Sequence, residues 1–333
     1  MESDVKLGFS QGRIVVKKLA TNEERSIPFS DVEGISIFGH AQLSTQLIRE
    51  CIASDVSISY YSDDGRYFGR TSSFNGINPE RQKSQIALTD NASFCLEWSK
   101  RTIRAKIANS LTLLKELENS YELSAEDLHG LHHSLKNLEY ASSVEEVMGF
   151  EGNAAKSYYK CLSKFLESYG FSFAGRSTRP PKDPFNSMIS YGYSLLYRNI
   201  IGAIERHGLH SYFAFMHKTR QGHASLASDL IEDYRAYLVD RVVIKFILAG
   251  DIDPSEFYQN DAGAIYMKRG LARELTNRFT DAQSAAHPYF NAYDDKRLFG
   301  FQTALDMKVS SVISAIDEKN PTAYKPFVWE MCE

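Results

Sequence analysis

The chain has 333 residues, 43% apolar and 24% charged, which excludes a disordered chain and leaves room for one large domain or two ordinary ones. A formal net charge of -4 excludes a uniformly basic surface, so any phosphate-binding field has to be local. Four cysteines without C-x-x-C spacing argue against a thiolate zinc site and a disulfide scaffold, and neither a signal peptide nor a run of roughly 18 apolar residues is present, so no membrane span and a cytoplasmic location are expected.

The first part of the chain has strand periodicity. Arg13–Lys18 (RIVVKK) is a short β-branched run, and Gly34–Phe38 alternates around Ser36 as a half-buried strand does. Ser44 is placed to cap a short helix running to Ala53. Val56, Ile58 and Tyr60 restore period two before an Asp-Asp-Gly turn at Asp63–Gly65, and extended chain resumes over Tyr67–Arg70. Asn, Gly and Pro cluster at Asn75–Pro79 and mark the end of this region.

From about Glu80 the period changes to 3.6. Trp98, Ile103, Ile107, Leu111 and Leu114 share one helical stripe, with Arg101 and Arg104 on the ridge beside it. Further helices are predicted over Ala125–Tyr140, Glu145–Tyr169, Phe185–His207, Ser225–Leu248, Gly263–Phe279 and Gly300–Ile316. Irregular segments interrupt them at Phe171–Pro184 and Gly208–His223. The expected fold is α+β: a small β-rich N-terminal domain over residues 1–78, then a large all-helical domain over residues 79–333.

Five acidic or imidazole positions stand out. Glu151 lies between Gly149 and Gly152, which suggests a helix start, where free N–H groups favour a carboxylate; simple capping accounts for it equally well. His217 ends an aromatic stretch and precedes a polar turn. On the next helix Asp229, Glu232 and Asp233 are spaced to approach one edge, where they repel unless a cation relieves them. Arg235, Arg241 and Lys245 are near enough to do so, which is the structural account of the cluster. His207, His210 and His223 compete with His217 as ligands, and spacing alone does not exclude His223. Oxygen ligands with one imidazole suit Mg²⁺ or Mn²⁺. Two basic clusters, Lys100, Arg101, Arg104 and Lys106, then Arg176, Arg179 and Lys182, are solvated surface or phosphate contacts.

Taken in order, FEGNAAKSYY, RSTRPPKDPFNSMISYGYSLLYRNI, GLHSYFAFMHKTRQGHASLASDLIEDYR and VDR resemble the CRISPR-associated adaptation integrase family, the near-universal spacer-acquisition protein of those systems. GRIVVKK, GISIFG and DVSISYYSDDGRYFGR resemble its β-rich domain, and RQKSQIAL the link onward, so the resemblance covers nearly the whole chain. It implies a metal-dependent DNA endonuclease and integrase that joins 3′-hydroxyl ends of captured double-stranded DNA into repeat DNA by transesterification. Glu151, His217 and Glu232 then match the family's metal ligands, Asp229 the aspartate that supports them, and Asn186 and Tyr191 an Asn and a Tyr close to the DNA strand being joined. A homodimer and a small ferredoxin-like partner protein are also implied. Two departures stand out: Ala236 replaces the usual proline after Arg235, and the N-terminus is short, so that the first hairpin is either abbreviated or built differently by Val5–Ser10. A stand-alone DNA repair nuclease and a catalytically inactive DNA-binding scaffold are the alternatives.

Overall fold

The computed structural model describes residues 5–32, 34–61, 67–71, 77–118, 123–178, 180–250, 252–287 and 298–329. The chain divides into two compact units, Met1–Ile77 and Asn78–Glu333.

In the first unit, β1 (Val5–Ser10) pairs antiparallel with β2 (Arg13–Lys18) residue for residue. A first hairpin is thus built by Val5–Ser10 with Arg13–Lys18. Its two-residue turn is Gln11–Gly12, both at positive φ, the backbone a tight hairpin demands. β3 (Glu24–Pro28) adds to β2, and β5 (Ala41–Leu43) lies parallel to β1, giving the order β3-β2-β1-β5. A second sheet takes β4 (Gly34–Phe38), β6 (Ser57–Tyr61) and β7 (Tyr67–Thr71) in the order β4-β6-β7. Between β5 and β6, α1 (Thr45–Ala53) begins on the Ser44 hydroxyl, which accepts from Leu47 N–H at 3.2 Å. Leu47 and Cys51 of α1 join Val5, Leu7, Ile14, Ile37 and Ile58 in one core. The turn predicted at Asp63–Gly65 lies outside the described residues.

The second unit is mostly helical: α2 (Pro79–Leu88), α3 (Ala92–Leu117), α4 (Ala125–Asn137), α5 (Val144–Ser168), α6 (Pro184–Arg206), α7 (Ser225–Ile231), α8 (Arg241–Leu248), α9 (Arg269–Ser284) and α10 (Phe301–Asp317). The predicted α3 stripe is buried through Trp98, Ile103, Ile107 and Leu114. Side-chain caps from Asn78, Asn91, Ser124, Ser143 and Asp183 start five of these helices. One predicted helix is corrected. Gly263–Phe279 begins as a strand, β9 (Ile265–Met267), paired with β8 (Phe257–Gln259) and bonded to the Pro181 carbonyl. Helix appears only from Arg269; Gly263 at positive φ makes the preceding turn. This unit is therefore not all-helical. Among the described residues no helix is long and apolar enough to cross a membrane.

The predicted helix Ser225–Leu248 changes its hydrogen-bond ladder midway. After α7 comes a 3₁₀ turn (Glu232–Tyr234), then a π turn (Arg235–Asp240), before α8 resumes. The Arg241 N–H reaches back to the Ala236 carbonyl, a five-residue span that inserts an extra residue into the turn. Segment 324–329 packs against the same region. Tyr324 stacks on Trp98 at 3.8 Å, Phe327 N–H donates to Asp233 at 2.7 Å, and Trp329 N–H donates to Asn109 at 2.7 Å.

Two stability predictions follow from this packing. A Cβ added at Gly192 of α6 would lie 2.7 Å from Val239 and against the Phe279 ring. Gly192→Ala should therefore cost about 1–3 kcal/mol in a urea melt. His287 stacks on Tyr237 at 4.6 Å. Burial, with Arg241 nearby, lowers its imidazole from 6.5 to about 4. A depressed imidazole takes up its proton more readily in the unfolded chain, so its contribution erodes as pH falls from 6.5 towards 4 and is intact above 6.5. His287→Gln should flatten the decline of the urea midpoint over that window.

Candidate active site

Asp229 organises the site. It lies on α7 with no exposed surface, and its carboxylate accepts from the Phe215, Met216 and His217 N–H groups, each at 3.0 Å. It also meets His217 Nδ1 at 2.8 Å. A carboxylate only accepts here, so Nδ1 carries a proton, and in the neutral imidazole Nε2 is the nitrogen with the lone pair. Burial acts to lower the His217 pKa, but the Asp229 hydrogen bond and charge outweigh it and raise the imidazole above its ordinary value. The loop carrying His217 is clamped further by Phe215, whose ring meets Trp98 at 4.7 Å and Phe94 at 4.9 Å. Gln85 holds the preceding loop through the His210 and Phe213 carbonyls.

Glu232 stands one turn past Asp229. Its Oε1 meets Arg235 at 2.9 Å and its Oε2 meets Lys106 of α3 at 2.6 Å. Burial alone would raise this carboxyl; Arg235 and Lys106 together overturn that and hold it at about 2. Lys106 also contacts Glu151, so a single ammonium bridges carboxylates from α5 and from the 3₁₀ turn. Glu151, His217 and Glu232 line one cavity of about 650 Å³, together with Lys106, Arg235, Lys156, Lys160 and Arg176.

Several expectations need correction. Glu151 does not start a helix. α5 begins at Val144 on the Ser143 cap, and Glu151 lies two turns in. Gly149 and Gly152 stay helical because Val147, Ala154, Tyr158, Leu162 and Phe165 bury the opposite face, which outweighs the glycine cost. Asp229, Glu232 and Asp233 do not share an edge. Asp233 turns away to the fully buried Lys308, at 2.6 Å from Oδ2. Arg241 and Lys245 pair with Glu116 instead of the cluster. His223 bonds Ser228 at 2.8 Å and does not line the cavity.

Neither Asn186 nor Tyr191 lines the cavity. Tyr191 meets Thr276 at 2.8 Å. Asn186 is buried, accepting from Arg176 at 2.8 Å and donating to the Gly175 carbonyl at 2.8 Å. It thus steers Arg176, which does reach the cavity. Of the predicted phosphate contacts, Arg101 donates to the Thr322 and Tyr324 carbonyls and Arg104 pairs with Glu139. Arg179 lies outside the described residues. Lys182 is exposed and does not line the cavity. Sequence reasoning missed Lys156 and Lys160. Their four-residue spacing, on the helix that carries Glu151, was the available signal.

Behind the site, Asp240 accepts from Tyr193 at 2.5 Å and Tyr158 at 2.8 Å. The Arg235 guanidinium lies 4.7 Å from the Tyr193 ring and Arg176 lies 5.3 Å from it. Both cations are thereby held in orientation against a buried phenol.

The donor set, two carboxylates and one imidazole nitrogen, suits a hard divalent cation. Glu232 Oε2 is buried and accepts no hydrogen bond of acceptable geometry, although Lys106 faces it as an ion pair. Among the described residues no three His, Cys, Asp or Glu side chains stand close enough to hold an ion as they are placed. The chemistry of the site fits a metal, and Lys106 stands between the two carboxylates.

A two-unit α+β chain with this acidic, cation-lined cleft has the make-up of a nucleic-acid-processing enzyme. The family model for CRISPR associated protein Cas1 matches residues 1–281, and the chain belongs to that family. The "CRISPR-associated endonuclease Cas1" of Mycobacterium tuberculosis strain H37Rv is 37% identical over 322 residues, covering 96% of this chain and 94% of the relative. A Chlorobaculum tepidum protein named "CRISPR-associated endonuclease Cas1 1" is 28% identical over 329 residues, with the same coverage of 96% and 94%. Among solved structures, a Cas1 protein from Thermotoga maritima has a TM-score of 0.79 at 20% identity, covering 99% of this chain and 98% of that one. A casposase bound to integration product has a TM-score of 0.78 at 23% identity, covering 95% and 89%. Both likenesses establish the shared fold.

The Asp229 geometry predicts a stability effect. Asp229→Asn keeps the size of the side chain but turns an amide donor towards backbone N–H groups. It should cost about 2–4 kcal/mol in a denaturant melt.

Proposed function

We propose that this protein is a divalent-metal-dependent DNA endonuclease and integrase of CRISPR adaptation, joining 3′-hydroxyl ends of captured DNA into repeat DNA. The observation that carries this reading is the shared cavity of Glu151, His217 and Glu232, with cationic side chains on its walls. The names of the curated relatives and the fold shared with the casposase support it.

Glu151, Glu232 and Nε2 of His217 would hold Mg²⁺ or Mn²⁺. Such an ion, when bound, supplies neutralisation of charge on the phosphate undergoing attack and orientation of the attacking hydroxyl. Asp229 fixes the His217 tautomer, so the imidazole presents a lone pair to the cleft. Arg235 is held in place by the Tyr193 ring and Glu232. Lys156, Lys160 and Arg176 line the cleft as phosphate-attracting charges. Direct transesterification needs no enzyme nucleophile, and water replacing the 3′-hydroxyl would give cleavage by the same groups. A homodimer acting with a small ferredoxin-like partner completes the proposal. The existence of a partner protein draws support from the same fold within a solved Cas6-RT-Cas1–Cas2 complex, where this chain spans 36% of that chain's length at a TM-score of 0.78.

The decisive assay is strand transfer of a 3′-hydroxyl duplex into a repeat-bearing plasmid, with Mg²⁺ or Mn²⁺ and the partner protein. Glu232→Ala should lower transfer at least about a hundredfold while duplex binding persists. Transfer at the wild-type rate would end the proposed role of Glu232. Repeat-independent cleavage without the partner would instead favour a stand-alone repair nuclease.

A further inference from the structure

Lys106 is a cation placed where cation-binding groups converge. It comes from α3, whereas its two carboxylate partners come from α5 and from the 3₁₀ turn after α7. Its Nζ contacts Glu151 and lies 2.6 Å from Glu232 Oε2. A divalent ion held by these two carboxylates would compete with the ammonium for the same oxygens. With Lys106 in place both carboxylates are already countered: Glu151 by Lys106, and Glu232 by Lys106 on one oxygen and Arg235 on the other. Adding two positive charges beside an undisplaced ammonium is repulsive.

The two cations on Glu232 differ in their freedom to leave. Arg235 lies over the Tyr193 ring at 4.7 Å and grips the other carboxylate oxygen from the same helical rod, so its planar guanidinium is held on two sides. Lys106 is a point charge on a flexible stem, with no aromatic ring among the described residues holding it, on the wall of a 650 Å³ cavity with room to receive it. We propose that Lys106 is a resident counter-cation that holds Glu151 and Glu232 until a divalent ion displaces it into the cleft, and so sets the ion affinity of the site. The inference rests on the metal-site reading above and concerns a residue that binds no metal itself.

The test is Mn²⁺ binding to the full-length protein without DNA, followed by calorimetry. Removing the competing charge in Lys106→Met should tighten Mn²⁺ binding about tenfold or more, and Lys106→Arg should not. Lys106→Gln serves as a second neutral variant should Lys106→Met fail to fold. Amine labelling of the wild-type protein, read by mass spectrometry, gives a second measure. Lys106 should label slowly in metal-free buffer and faster with Mn²⁺, while exposed Lys156 and Lys160 change little. Unchanged or weaker affinity in the neutral variants, with binding still abolished by Glu232→Ala, would overturn the role of Lys106 and leave the metal site standing. If neither wild type nor the neutral variants bind Mn²⁺, the metal-site reading falls, and this inference with it.

Discussion

The site depends on one buried carboxylate. Asp229 gathers three consecutive backbone N–H groups and one imidazole, so an otherwise irregular loop acquires a fixed end at His217. A charge with no exposed surface is tolerable only when its lone pairs are used, and here all four bonds go to the segment that must be positioned. The same contact sets the imidazole tautomer. Loop placement and ligand chemistry therefore come from a single side chain.

The re-phased helix after α7 distributes the remaining acids. In an uninterrupted α-helix, Glu232 and Asp233 would lie 100° apart on a common ladder. The 3₁₀ and π turns bring Glu232 and Arg235 to the cleft while Asp233 binds Lys308 and Asp240 binds two tyrosines. Ala236 sits inside the π turn and contributes the carbonyl that closes it. Four acidic residues within twelve positions thus serve four different purposes: loop anchor, cleft carboxylate, core ion pair and phenol acceptor.

The α+β class was legible because each region keeps its own period. Ser36 between apolar neighbours marked β4, and the Trp98 to Leu114 stripe marked α3. The β8–β9 hairpin was not legible, since Ile265–Met267 is too short to carry a period and pairs through its backbone. At the site, the identity of Glu151, His217 and Glu232 rested on motif order, and the structure brings them to one cavity. Their neighbours were harder to foresee. That Asp233 faces away follows from a lysine 75 residues downstream, a pairing that no local pattern encodes. Likewise Arg101 and Arg104 resembled a phosphate-binding ridge, but carbonyls near residue 322 and Glu139 take them.

Segment 324–329 carries a consequence for the order of assembly. Asp233 receives the Lys308 ammonium and the Phe327 N–H from positions 75 and 94 residues further along the chain, and Asn109 bridges the Asp233 carbonyl to the carbonyl of Phe327. The backbone next to Glu232 therefore gains these supports only after nearly all of the helical unit has been synthesised. A nascent chain emerging from the ribosome would carry the acidic residues long before it could arrange them, and their arrangement would wait for segment 324–329 to emerge.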